Sequence, residues 1–283
     1  MTFKAQILRA RTHGKETMEE LGNLLGIPVF TSDQEIPKDG TLTFRWGCRS
    51  LDLSPNPVIN KKRAIEEVSD KRGFRLKLQG LDLTPVTVGS FEEFLDRGFY
   101  TWRNKWIVRP ARHHRSENLY FCPTVGDVYR AVKEIDGPLY ISEHIPKTNE
   151  YRVFVCQGRI AWIIEKIPRD RDSISWGCVN QGDFRYVPWT EWPNNLSYIA
   201  LKTMRQSSLD FGAVDIVYWD ESEFLYYALE VNTAPHLSPY YTKTVAKTFK
   251  WIMTRGREHF PEPQSYSWRD VIHPAVQMDL ENI

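Results

Sequence analysis

No stretch of this 283-residue sequence approaches about 18 consecutive apolar residues, so no transmembrane helix is expected. The N-terminus, MTFKAQILRARTHGK, lacks a signal-peptide core followed by a small-residue cleavage site. Cysteine is scarce: Cys48, Cys122, Cys156 and Cys178 are widely spaced with no C-x-x-C, which indicates neither a zinc site nor a disulfide scaffold. Reduced thiols in a cytosol fit this usage best. An excess of one charge is missing too. With 37 Lys and Arg against 36 Asp and Glu, the net charge of +1 argues against a dedicated nucleic-acid coat or a polybasic membrane binder. Internal repeats and low-complexity segments are absent. What remains is an ordinary soluble, cytoplasmic protein with no membrane partner, long enough for one large domain or two to three small subdomains.

The chemistry-bearing residues gather in 211–239, FGAVDIVYWDESEFLYYALEVNTAPHLSP. Residues 213–218 are β-branched and aromatic, 220–223 are polar and turn-like, and 224–231 alternate, which predicts a β-hairpin. On its second strand Leu225, Tyr227, Leu229 and Val231 are expected on one face, and Tyr226, Ala228, Glu230 and Asn232 on the other. A hairpin can set Asp215 opposite Glu230 and Asn232. Such oxygens suit Mg²⁺, which takes carboxylate and amide ligands together with substrate phosphates. The same residues also fit a solvated strand face with incidental acids.

Short elements alternate along the rest of the chain. Residues 4–10 read as a strand, 15–25 as a helix closed by Gly26, and 41–46 as a strand ending at Gly47, within a small α/β unit over 1–88. Residues 56–65 lead into a helix through Val68, followed by Ser69-Asp70-Lys71-Arg72, where Lys71 by itself reads as a solvated charge. Residues 80–87 read as an extended strand. Ser90 and Glu93 open a capped helix over 91–97, stopped by Gly98. Residues 105–110 form a strand that runs into Ala111-Arg112-His113-His114-Arg115-Ser116-Glu117-Asn118. From Arg103 to Arg115 there are five Lys or Arg and no acid, a stretch that favours phosphate, whereas adjacent histidines point opposite ways and do not make a metal pair.

Thr124 caps a helix through Lys133, and residues 139–145 form a strand carrying Glu143. Residues 151–156 and 159–165 pair as a hairpin about Gln157-Gly158, with Arg152, Phe154 and Cys156 on one face. Residues 167–193, including Asn180, are irregular and polar, a length that is usually functional or mobile. Amphipathic helices follow over 196–208 and 241–254, and the tail beyond Gly256 is expected to wrap the surface loosely. Trp102, Trp106, Trp176, Trp189 and Trp192 could stack a base, but ordinary packing is the simpler reading.

Taken in order, Ser69-Asp70-Lys71, Ile107-Val108-Arg109-Pro110, Tyr140-Ile141-Ser142-Glu143-His144-Ile145, Glu150-Tyr151-Arg152-Val153-Phe154-Val155, Gly212-Ala213-Val214-Asp215 and Glu230-Val231-Asn232-Thr233-Ala234-Pro235 resemble the ATP-grasp superfamily. The resemblance covers roughly residues 40–255 and looks most like the ribosomal-protein glutamate ligases and related phage-encoded proteins. It implies an α+β fold in which two α+β subdomains, 89–145 and 146–258, sandwich ATP. A small α/β domain (1–88) precedes them, and a tail (259–283) follows. It also implies roles: Lys71 and Arg109 as phosphate contacts, Ile141, Ser142, Glu143 and His144 as the adenine-side hinge, and Glu150 as a ribose or hinge-side acid. Asp215, Glu230 and Asn232 become Mg²⁺ ligands, and Arg152 and Lys166 face the transferred phosphoryl group.

Two features depart from the family. Its strand-end lysine is Arg109 here, which keeps the charge but changes the geometry. Its glycine-rich flap is absent, since residues 111–118 hold no glycine; Arg112, His113 and Arg115 are expected to replace the flap amides with side-chain contacts. The resemblance implies a carboxylate–amine ligase that forms an acyl phosphate and passes the acyl group to an amine, either small or carried by a protein or modified nucleic acid. The alternative is a grasp fold that binds nucleotide, or assembles with a partner, without catalysis.

Overall fold

The computed structural model describes residues 4–11, 14–101, 104–113, 118–176, 182–220 and 225–280. Trp102, Arg103, His114, Arg115, Ser116, Glu117, Cys178, Asn180 and most of the turn expected at 220–223, with Phe224 after it, lie outside the described residues. Three sheets organise the rest. The first is parallel, in the order β2-β1-β3-β4, from β1 (Ala5–Arg9), β2 (Val29–Thr31), β3 (Leu42–Trp46) and β4 (Val58–Ile59). All residues of β1 and β3 are buried, as a parallel sheet covered on both faces requires. Helix α1 (Lys15–Leu25) ends where Gly26 takes a left-handed φ of 66°.

The second sheet is antiparallel, in the order β5-β8-β6-β7, built from β5 (Thr87–Val88), β6 (Trp106–Pro110), β7 (Tyr120–Cys122) and β8 (Leu139–Glu143). Helices α4 (Phe91–Asp96) and α5 (Val125–Glu134) cover it over a core of Phe94, Phe99, Trp106, Val108, Val128 and Ile141. Both helices start as the sequence prescribes. The Ser90 hydroxyl accepts from Glu93 N–H, and Thr124 and Asp127 form a reciprocal capping box.

The third sheet carries the site. Strands β9 (Asn149–Cys156), β10 (Arg159–Ile167), β11 (Asp183–Val187), β12 (Phe211–Trp219) and β13 (Leu225–Asn232) lie antiparallel in the order β11-β10-β9-β12-β13. On one face Val153, Val155, Ile163, Val214 and Ile216 pack against α2 (Lys62–Ser69), α3 (Lys71–Gln79) and α6 (Asn194–Ser207). On the other, Phe154, Trp162 and Phe211 join Phe44, Trp46 and Phe249, the last from α7 (Pro239–Arg255). The rings of Phe44 and Phe249 stack at 4.2 Å and those of Trp46 and Phe211 at 5.4 Å. Each such side chain fully buried contributes on the order of 2–3 kcal/mol, so this seam fixes the first sheet against the third.

Several expectations are corrected. The helix expected through Val68 forms as α2, but a second helix that the sequence reading lacks follows it: Asp70 ends α2 and caps α3 by accepting from Gly73 N–H, which places Lys71 in the first turn of α3. Of the strand expected at 80–87 only Thr87 is in a strand, β5, which it forms with Val88. Within residues 1–88, α2 and α3 pack on the third sheet and β5 joins the second. Residues 167–193 are not wholly irregular, since β11 adds to the sheet edge and Trp189–Glu191 form a 3₁₀ turn. Nor is the tail loose. Arg257 donates to Asp210 at 2.8 and 3.0 Å, Gln157 donates to the Gly256 and Glu258 carbonyls, and Val271, Ile272 and His273 are buried around α8 (Trp268–Val271) and α9 (Pro274–Leu280).

Trp106, Trp176 and Trp192 are buried, which is the packing role. Cys48, Cys122 and Cys156 are unpaired and buried, and burial pushes the Cys122 and Cys156 thiols up to about 11 and about 12. Among the described residues no helix is long and apolar enough to cross a membrane.

Candidate active site

Side chains two apart on a strand share a face, so β9 sends Glu150 and Arg152 to the side of the third sheet that also carries Phe154. The ladder then aligns the rest. Glu150 stands opposite Lys166 on β10, Arg152 opposite Asp215 on β12, Asp215 opposite Glu230 on β13, and Ala213 opposite Asn232. One irregularity shapes this face: Asp215 pairs with Glu230 but Ile216 pairs with Ala228, so Leu229 is a bulged residue. The simple alternation expected along this strand therefore breaks at Leu229. Ala228 and Val231 both enter the core under α6, whereas Glu230 and Asn232 stay on the site face.

The charges on that face are paired and largely buried. Arg152 grips Asp215 through Nε–Oδ1 at 2.7 Å and Nη2–Oδ2 at 2.9 Å. Lys166 donates to Asp215 Oδ2 at 2.9 Å and also to Glu150, which accepts a second ammonium from Lys147. Lys71 donates to Glu230, and Arg109 adds to the positive surroundings of that carboxylate. Burial pushes the Asp215 carboxyl up, but Arg152 and Lys166 outweigh it and hold its pKa below the ordinary value. Glu230 behaves alike: burial opposes ionisation, and Lys71, then Arg109, hold its pKa well below the carboxylate range. Burial would discharge Lys166, yet Asp215 and Glu150 raise its pKa above that of a free lysine. Three carboxylates thus face five cations, an excess of positive charge in a largely buried site.

The second sheet supplies the other side. Arg109, at the end of β6, has its pKa lowered by burial, against the pull of Tyr140 and Glu230. Beyond it the loop is docked. Ala111 N–H donates to the Pro138 carbonyl at 2.8 Å, and the Ala111 carbonyl accepts from Lys71 N–H at 2.9 Å. His113 is 8% exposed, and its Nδ1 lies 2.9 Å from the Pro110 carbonyl; that oxygen can only accept, so the proton is on Nδ1. Burial, then Arg109 and Lys71, lower the His113 pKa to about 3, leaving a neutral ring whose buried Nε2 has no hydrogen-bond partner among the described residues. Arg112, by contrast, is exposed.

The expected hinge residues lie along and just past β8. Ile141 is buried in the second sheet's core, so only its main chain could meet a ligand. Ser142 is buried, and its hydroxyl accepts from Arg75 Nη1 at 2.9 Å. Glu143 accepts from Asn104 Nδ2 at 2.6 Å, and burial raises its pKa. Burial, then Lys147 and Lys105, lower the His144 pKa to about 4.

Lys147 and Arg75 are the residues that reading the sequence missed. A turn lysine three residues before Glu150 was the available signal for Lys147, whose ammonium also sits 4.7 Å over the Trp176 ring. Arg75 follows Lys71 by one helical turn, a spacing that means nothing until α3 is recognised.

The oxygen set fits Mg²⁺. Two carboxylates and one amide oxygen is what that ion uses when phosphates and waters complete its shell, and on Asn232 the ligating atom would be Oδ1, on the same face as Asp215 and Glu230. Lys71, Arg152 and Lys166 pair with the carboxylates that the metal would meet.

No protein-family profile and no curated protein matches this sequence. Solved structures do match its fold. ATP-grasp ligase PsnB, complexed with a minimal precursor, Mg and ADP, is 12% identical over 91% of this chain and 99% of its own, with a TM-score of 0.64. Macrocyclase MdnC from Microcystis aeruginosa MRC, bound with precursor peptide MdnA, is 12% identical over 86% and 98%, with a TM-score of 0.61. D-alanine–D-alanine ligase from Bacillus anthracis, complexed with ATP, is 14% identical over 90% and 98%, with a TM-score of 0.61. Superposition across nearly the whole length of three such proteins, PsnB among them, identifies the fold of this chain as the ATP-grasp fold.

Proposed function

We propose that the chain is an ATP- and Mg²⁺-dependent carboxylate–amine ligase that releases ADP. The observation that carries this reading is the buried face on which Asp215 opposes Glu230 while five cations surround three carboxylates. Burying charge costs several kcal/mol per ion, and replacing such pairs with apolar residues is often neutral or stabilising, so stability alone does not call for this network. A polyanion and a divalent cation do.

In this reading Lys71 and Arg109 bind the polyphosphate, and Arg112, at the rim, meets it as it enters. The strand β8 segment Ile141, Ser142 and Glu143, with His144, borders the base, and Glu150 the ribose. Asp215, Glu230 and Asn232 hold Mg²⁺, which when bound neutralises phosphate charge and aligns the transferred group. A substrate carboxylate oxygen attacks the γ-phosphorus, the bond to the bridging oxygen breaks, and ADP leaves. Arg152 and Lys166 balance the charge on the acyl phosphate. An amine then attacks the acyl carbon, phosphate departs, and the amine loses a proton. Because solved proteins of this fold bind precursor peptides or ligate D-alanine, the acceptor class we propose is a small amine or a peptide. The assay is ADP release in the presence of Mg²⁺ and arrays of carboxylates, amines and peptides.

One observation favours a second reading. The loop at 111–118 has no glycine, and both backbone groups of Ala111 are already bonded within the protein. A fold that binds nucleotide without turnover would take up ATP and release no ADP with any acceptor.

A further inference from the structure

Arg75 lies outside every motif read from the sequence and is 7% exposed at the junction of the second and third sheets. Its Nε donates to the Leu229 carbonyl at 3.0 Å, and its Nη1 donates to Ser142 Oγ at 2.9 Å. The guanidinium also lies 5.1 Å from the centroid of the Tyr140 ring, a cation–π distance.

Each partner has consequences beyond itself. Leu229 is the bulged residue of β13, and a bulge leaves its extra residue outside the ladder, so its carbonyl needs another donor. Arg75 supplies that donor next to Glu230. The turn after α3 holds the same bulge, since Leu83 O accepts from Ala228 N–H at 2.8 Å and Thr84 Oγ1 donates to Ala228 O at 2.7 Å. Tyr140 stands opposite Arg109 in the ladder between β8 and β6. Ser142 lies on β8 between β5 and β6. One planar fork therefore ties the strand bearing Glu230 and Asn232 to β8, a central strand of the second sheet. Lysine could make one of these contacts but not both in fixed directions.

We propose that Arg75 is a positioning residue that clamps the bulge at Leu229 to Ser142 and Tyr140 on β8, so that Glu230 and the bordering strand keep one relative geometry. Its consequence for nucleotide rests on the function proposed above; the clamp itself does not.

The test compares the full-length wild-type chain with Arg75→Met, Arg75→Lys and Ser142→Ala by amide hydrogen exchange, alongside titration with a non-hydrolysable ATP analogue with and without Mg²⁺. In Arg75→Met, exchange over 139–143 and over 225–232 should rise together while β1 and β3 stay unchanged. Arg75→Lys should recover part of the protection. Ser142→Ala should raise exchange over 139–143 more than over 225–232. Analogue affinity in Mg²⁺ should fall about tenfold in Arg75→Met and less without the metal. A rise confined to α3, a uniform rise over all three sheets, or no rise in either segment overturns the clamp. If Arg75→Met does not fold, smaller joint rises in Arg75→Lys and Ser142→Ala support the clamp in its place, and their absence overturns it. A wild-type chain that binds no analogue contradicts the ligase reading, while the exchange pattern still decides the clamp.

Discussion

Arg152 and Asp215 face each other across β9 and β12 and are joined by two near-parallel hydrogen bonds of 2.7 and 2.9 Å, with Lys166 as a third donor to the same carboxylate. Asp215 is thus a hub for two cations, and its removal leaves both without their shared counter-charge.

Breaking a buried pair by deleting one partner typically costs 3–5 kcal/mol, because the survivor stays buried and uncompensated. Asp215 is 4% exposed and Lys166 6%. Asp215→Ala should therefore destabilise the chain by about 3–5 kcal/mol, read as a shifted midpoint in urea denaturation. A loss under about 1 kcal/mol, the range of exposed pairs, would mean that the network is solvated.

Lys166 separates binding from turnover. Its ammonium touches Glu150 and Asp215 rather than the Lys71–Glu230 side of the site. Lys166→Met should slow ADP release about 10²-fold while leaving the affinity for an ATP analogue within about threefold. Equal losses in both would assign Lys166 to uniform nucleotide binding instead.

Acid sensitivity should begin with histidine. Burial first, then neighbouring cations, lower the pKa of His113 and His273 to about 3 and of His144 to about 4, from 6.5. The unfolded chain takes up these protons near pH 6.5 and the fold does not, so the unfolded state binds more protons in this window and stability falls as pH drops from about 6.5 towards about 4. Asp215 and Glu230 act lower. Their folded pKa values are depressed, so their contribution persists above the ordinary carboxylate range and is lost only as pH falls through the depressed values. Denaturation midpoints measured against pH should slope through the upper window, and His113→Gln should flatten part of that slope. A flat wild-type profile down to pH 4 would contradict the buried neutral rings.

Much of this arrangement was legible because it rests on local periodicity. Alternation and turn chemistry placed Glu230 and Asn232 on one strand, and Gln157-Gly158, both at positive φ, turned β9 into β10. Capping residues fixed the starts of α4 and α5. What failed depended on partners distant in sequence. The bulge at Leu229 answers to Arg75, 154 residues earlier, and no strand pattern encodes it. The extent of β11 is set by the exposed edge it pairs with, through Phe184 against Lys166 and Tyr186 against Ile164. The tail reads as polar and Pro-containing, yet Arg257 is drawn down onto the buried Asp210. Lys71 looked solvated because its carboxylate partner lies 159 residues away.

The most direct test of the central claim is calorimetric titration of a non-hydrolysable ATP analogue into the wild-type chain and Glu230→Ala, each with and without Mg²⁺. The expected result is binding that strengthens with Mg²⁺ in the wild type and loses that dependence in the variant. Binding indifferent to Mg²⁺ in both, or none in the wild type, would contradict a metal–nucleotide site built on Asp215, Glu230 and Asn232.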